Sequence, residues 1–123
     1  MALIGKYPNT YTYTKSMAER SLKKLGGNLK ISIVRPSIVI PAYTEPFPGW
    51  TDTLAAGGGM IFAVISGLMH VVKTKLTAIV DFVPVDFVSN MILTTTVYSA
   101  LSPGPCCNVL HASTSHLNPN TII

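Results

Sequence analysis

The sequence is poor in charge and in cysteine. Of its 123 residues only 11% are charged, and there are 2 cysteines and 1 tryptophan. With 48% hydrophobic residues beside so little charge, a disordered tail is excluded, because such tails lack the apolar surface needed to order themselves. The composition also excludes a collagen-like repeat and a disulfide scaffold. Cys106 and Cys107 are adjacent, which suits neither a metal knuckle nor an ordinary loop-closing disulfide. Both are expected to be buried as small hydrophobes in a reducing compartment. His70, His111 and His116 offer no metal-ligand spacing, so no metal site is expected. Met1–Leu3 run at once into Gly5, Lys6 and Pro8 and do not read as a signal peptide. The length suits one small domain.

The charge that is present is unevenly placed. Lys6, Lys15, Arg20, Lys23, Lys24, Lys30 and Arg35 face the single acid Glu19 in the first third, within a net charge of +4. A basic third could meet nucleic acid, an anionic membrane surface or a phosphate-bearing ligand, or simply be a solvated helix face. No aromatics interleave with these cations, and no finger, ribonucleoprotein or helix-turn-helix pattern is present, so nucleic acid is discounted.

Asn9 or Thr10 is suited to cap a helix over Tyr11–Leu25, where Met17, Ala18, Leu22 and Leu25 recur at helical spacing and Gly26–Gly27 supply the stop. Leu29–Ile40 is a nearly continuous β-branched run, the habit of a parallel strand buried on both faces. Helix followed by such a strand is half of an α/β unit. Pro41–Trp50 reads as an irregular connection and Ile79–Val85 as a short extended segment. Asp86 is placed to cap a helix through Val88, Met91, Ile92 and Thr95, Cys107–His111 reads as a further strand, and Ser113–Pro119 as a turn. Thr53–Val72 is twenty residues without a formal charge. Its length would allow a membrane span, but Gly57, Gly58 and Gly59 break its front end as a helix. An apolar loop leading into a buried or lid-forming helix is therefore expected, with a transmembrane helix and a membrane-surface segment as the alternatives.

Tyr11 and Lys15 stand four apart on the predicted helix, so their side chains project from one face, a turn apart. A phenol is a poor acid at neutral pH, with a reference pKa near ~10, and an ammonium held close by favours the phenolate. A tyrosine so placed can give a proton to a carbonyl oxygen, and the lysine can donate to ribose hydroxyls. Tyr7 and Tyr13 have no lysine four residues on, so spacing selects Tyr11. The competing reading of the bare pair is an exposed cation beside an aromatic ring.

Several motifs stand in order along the chain: Tyr-Pro-Asn-Thr-Tyr-Thr-Tyr-Thr-Lys-Ser-Met-Ala-Glu (Tyr7–Glu19), Ile-Val-Arg-Pro-Ser-Ile-Val (Ile33–Val39), Glu-Pro-Phe-Pro-Gly-Trp (Glu45–Trp50), Pro-Val-Asp-Phe-Val-Ser-Asn (Pro84–Asn90) and Leu-Asn-Pro-Asn-Thr (Leu117–Thr121). Together they closely resemble the fatty acyl-CoA reductases of the extended short-chain dehydrogenase/reductase group. The resemblance implies an α/β fold, the C-terminal part of a Rossmann-like doubly wound parallel sheet plus part of the substrate-binding region. In it, residues 1–40 hold the catalytic helix and the following strand, and residues 41–123 the substrate side.

The same resemblance assigns roles. Tyr11 matches the catalytic acid, and Lys15 the residue that tunes it and holds the nicotinamide ribose. Pro36, Ser37, Ile38 and Val39 match the turn beside the nicotinamide, with backbone groups near Val39 open to its carboxamide. Phe47 and Trp50 would offer apolar surface to an acyl chain at the mouth of the substrate site, the alternative for both being loop packing. The implied reaction is NADPH-dependent reduction of long-chain acyl-CoA to an aldehyde and then a primary alcohol, in a membrane-associated parent protein at the peroxisome or endoplasmic reticulum.

The family's Gly-rich nucleotide turn and the Ser or Thr that assists its Tyr belong upstream of Tyr11. The expectation is thus an internal fragment of a longer reductase, inactive alone and, with unpaired strand edges, marginally stable or prone to aggregate. The alternatives are an extended reductase acting on a sterol or nucleotide sugar, against which the Pro-Phe-Pro-Gly-Trp text argues, and a non-catalytic acyl-lipid-binding or interaction module.

Overall fold

The first helix is set by local signals at both of its ends. Asn9 lies in extended backbone, and its side-chain oxygen accepts the Thr12 amide, 2.9 Å, one of the orphan donors of a helix start. The helix α1 then runs Thr10–Leu25, one residue earlier than its apolar spacing predicts. Lys23 and Lys24 in its last turn favour the negative end of the helix dipole. Gly26 closes it with an amide bond to the Leu22 carbonyl, and Gly27 follows at φ +51°, backbone that glycine alone adopts freely. A computed structural model describes residues 5–75, 77–105, 107–117 and 119–121 of the chain.

After α1 come β1 (Ile31–Pro36) and β2 (Ile38–Ile40), then α2 (Ala56–Ile65), β3 (Ile79–Val80), β4 (Phe82–Pro84), α3 (Val85–Leu101), β5 (Cys107–Ala112) and β6 (Asn120–Thr121). The run predicted as one strand over Leu29–Ile40 is divided at Ser37, because its two halves take different neighbours. β1 pairs with β5, whereas β2 pairs with β4 in parallel, Val39 opposite Val83. At the changeover the Ser37 amide donates to the Ala112 carbonyl (2.9 Å) and the Ile38 amide to the Asp81 carbonyl (3.1 Å). Asp81 likewise divides the predicted Ile79–Val85 segment: β3 pairs antiparallel with β6, and β4 lies beside β2. This is the α/β class read from the sequence, with the helices and parallel strands of part of a Rossmann-like domain.

The chain forms two compact units. One holds the described residues through Ile33 together with Thr95–Val109; the other holds Val34–Thr94 and the described residues from Leu110 onward. In the first, the Lys30 ammonium donates to the Ala100 and Ser102 carbonyls, 2.8 and 2.7 Å, so a cation satisfies orphan acceptors at the end of α3. In the second, Val83, Val88 and Ala112 form a small core against which Val34, Val39 and Met91 pack. No residue of β1 or β2 is fully buried, unlike the doubly covered strand predicted. Each has one paired neighbour among the described residues.

Two expectations need correction. The three glycines do not break the helix they precede but sit inside α2. Gly57 explains this: a Cβ there would lie 2.8 Å from the Val39 carbonyl oxygen and 2.9 Å from Ile40 Cγ2, so α2 packs on β2 at a distance only glycine allows. Cys107 is exposed rather than buried; Cys106 and Asn118 lie outside the described residues. Among those residues no helix is long and apolar enough to cross a membrane.

Candidate active site

Tyr11 is the second residue of α1 and is 67% exposed. One turn on, the Lys15 ammonium lies 5.6 Å from the centroid of the Tyr11 ring. Phenol and cation therefore share a face, as the i, i+4 spacing requires. The other tyrosines of this segment have structural work. The Tyr7 hydroxyl bonds Ser16 Oγ at 2.6 Å and accepts from the Arg20 guanidinium at 3.0 Å, tying the turn before α1 to the helix. Tyr13 sets its ring edge against Tyr7, centroids 5.4 Å apart. Tyr11 and Lys15 are thus left on an exposed surface of the first unit, with a donor set that fits a carbonyl oxygen and a ribose diol. A neutral phenol presents one O–H donor and an ammonium three.

The remaining residues read from the sequence lie in the second unit. Pro36 ends β1, Ser37 is the changeover, and Ile38 and Val39 belong to β2. Ser37 Oγ donates to Asp81, 3.2 Å. Val39 is half-buried against the Val83 core, and its carbonyl faces Gly57. Beyond β2 the chain closes a tight loop. The Ala42 amide donates to the Trp50 carbonyl (2.9 Å), the Gly49 amide to the Ala42 carbonyl (2.8 Å) and the Trp50 amide to the Phe47 carbonyl (3.1 Å). Phe47 projects with its side chain exposed. Trp50 is half-buried and lines two hollows: one with Val39, Ile40, Pro41 and Val85, the other with Glu45, Pro46, Ser89 and Asn90. The structure thus brings Val39 and Trp50 together around one apolar hollow, while Phe47 lines neither.

Asp86 was expected to cap a helix beginning after it. Although α3 begins at Val85, the Asp86 carboxylate accepts the first-turn amide of Phe87 (3.2 Å), as a cap would, and it also accepts the backbone amides of Tyr43 (3.1 Å), Thr44 (2.9 Å) and Glu45 (3.2 Å) and the Thr44 hydroxyl (3.3 Å). It is only 7% exposed. The Thr44 amide first, then those of Tyr43 and Glu45, hold this carboxyl well below the usual carboxylate range against the opposing effect of burial. Asp81 is a second such hub, accepting the Thr114 and Ser115 amides and the Ser115 and Ser37 hydroxyls. The Thr114 amide is the largest cause of its own lowered pKa. Neither hub could be read from local sequence, because apart from the adjacent Phe87 amide the partners of Asp86 lie more than forty residues before it, and those of Asp81 lie more than thirty on either side.

Comparison with known proteins agrees on one family. The profile of the NAD-binding family described as "Male sterility protein" matches residues 1–92. Fatty acyl-CoA reductase 2 of Bos taurus is 41% identical over 117 residues, and fatty acyl-CoA reductase 1 of Homo sapiens 40% identical over 117 residues. Fatty acyl-CoA reductase 2 of Mus musculus is 41% identical over the same length. In each case the match covers 95% of this chain and 23% of the relative, so the chain spans about a quarter of the length of these proteins.

Proposed function

Because this chain belongs to the male sterility protein family of NAD-binding domains, we propose that it is part of an NADPH-dependent reductase that converts long-chain acyl-CoA to a primary alcohol. Two reductions are needed: thioester to aldehyde with release of the CoA thiol, then aldehyde to alcohol. When bound, the nicotinamide supplies the hydride. This chain supplies the proton. Tyr11 would give its phenolic hydrogen to the carbonyl oxygen, and Lys15 would favour the charge left on the oxygen and hold the ribose by its ammonium donors. By the same resemblance, backbone groups of Pro36–Val39 would be open to the carboxamide, and Trp50 and Phe47 would offer apolar surface to the acyl chain.

The observation that carries this reading is the Tyr11–Lys15 pair, ammonium 5.6 Å from the ring centroid on an exposed helix face, in a chain about 40% identical to proteins named fatty acyl-CoA reductases. The preference for NADPH, the membrane location at peroxisome or endoplasmic reticulum, and the inactivity of these residues without the rest of the enzyme belong to the same proposal. Incubating the full-length protein with palmitoyl-CoA and either NADPH or NADH tests it. Hexadecanol formed with NADPH supports the reading; intact thioester with both cofactors overturns it.

A further inference from the structure

The Asp86 carboxylate is buried, yet no cation is needed to explain it. Three consecutive backbone amides, from Tyr43, Thr44 and Glu45, converge on its two oxygens at 2.9–3.2 Å, with the Thr44 hydroxyl at 3.3 Å. Hydrogen bonds to an ionised acceptor are about twice as strong as neutral ones, so this segment is fixed to the start of α3. The segment is also one wall of the loop that carries Trp50, because the Ala42 amide and carbonyl bond the Trp50 carbonyl and Gly49 amide. Trp50 in turn shares its apolar hollow with Val39 and Ile40 of β2 and with Val85, the neighbour of Asp86 itself. Tyr43 stacks on Phe87, ring centroids 6.0 Å apart, a second tie between the same two segments.

We propose that Asp86 is a positioning residue for the acyl chain, holding residues 43–45 and through them Trp50 in the place where its ring closes the hollow against β2. The inference rests on the acyl-CoA reductase reading and deepens it by naming what sets chain-length preference. Asn in place of Asp86 keeps the shape but loses the charge, and its amide group turns N–H donors toward the N–H donors of the loop. The loop and Trp50 are then free to shift, and long chains, which need the hollow, suffer more than short ones.

The test is steady-state kinetics of the full-length enzyme and its Asp86→Asn and Trp50→Leu variants with octanoyl-CoA and palmitoyl-CoA. For Asp86→Asn the KM for palmitoyl-CoA is expected to rise about tenfold, the equivalent of ~1.4 kcal/mol. The NADPH dissociation constant and the kcat ratio of the two substrates stay within about twofold, equivalent to ~0.4 kcal/mol. The double variant should be no worse than Trp50→Leu alone, since one residue acts through the other. If Asp86→Asn does not bind NADPH, Asp86→Glu, which keeps the charge, is expected to retain more of the preference for palmitoyl-CoA than Trp50→Leu does. An unchanged palmitoyl-to-octanoyl KM ratio in Asp86→Asn, or additive effects in the double variant, overturns this inference while leaving the reductase reading standing. Absence of turnover by the wild-type enzyme overturns both.

Discussion

The Lys15 ammonium stands 5.6 Å from the centroid of the Tyr11 ring, one turn along the same exposed face of α1. This relationship makes separate predictions for the two residues. On the proposed role of Lys15, Lys15→Met would remove the cation and the donors meant for the ribose together, so the KM for NADPH is expected to rise and kcat to fall, each by about tenfold or more. Lys15→Arg keeps charge but not a compact, strongly hydrated point donor, and recovers only part of either loss. Initial rates across an NADPH series measure both. Full recovery by Arg would show that charge alone suffices.

Asp81 and Asp86 predict acid sensitivity. Amide donors hold both carboxyls below their usual range in the folded protein, Thr114 foremost for Asp81 and Thr44 foremost for Asp86. In the unfolded chain both titrate near ~3.9, so as pH falls the unfolded state takes up protons first. Their stabilising contribution is complete above about pH 5 and is lost progressively as pH falls through the ordinary carboxylate value toward the lowered folded ones. Thermal unfolding followed between pH 7 and pH 3 should show Tm falling through that window. Asp86→Asn should lower Tm at pH 7 and flatten the decline; a variant with the wild-type slope would contradict the assignment.

Gly57→Ala sets two effects of opposite sign against each other. Alanine in a helix is favoured over glycine by about 1 kcal/mol. Its Cβ, however, would stand 2.8 Å from the Val39 carbonyl oxygen, which is backbone, and overpacking of this kind costs about 1–3 kcal/mol. The clash is expected to win, giving a lowered Tm and α2 displaced from β2. A raised Tm would show that the contact is looser than described.

The sequence made α1 legible because its signals are local: a capping Asn9, apolar residues at helical spacing and a Gly26–Gly27 stop. The Tyr11–Lys15 geometry follows from the same periodicity. What could not be read depends on neighbours distant in the chain. The division at Ser37 exists because β5 and β4 claim different halves of one apolar run, and neither strand is local to it. The glycines of α2 looked like breakers because propensity counts backbone entropy alone, whereas Gly57 allows close approach to β2, and Gly58 and Gly59 lie against the Thr53 and Leu54 carbonyls. Asp86, placed after a strand and before a helix, has the sequence signs of a cap and does accept the Phe87 amide; what local sequence does not show is that it also takes the amides of residues 43–45.

Replacing Tyr11 by Phe in the full-length protein tests the central claim most directly, since it removes one hydroxyl and leaves the ring and Lys15 in place. Acyl-CoA reduction is expected to fall by at least about a hundredfold, with NADPH still binding as in the wild type. Reduction at near wild-type rate by Tyr11→Phe would remove Tyr11 as the proton donor and contradict the account.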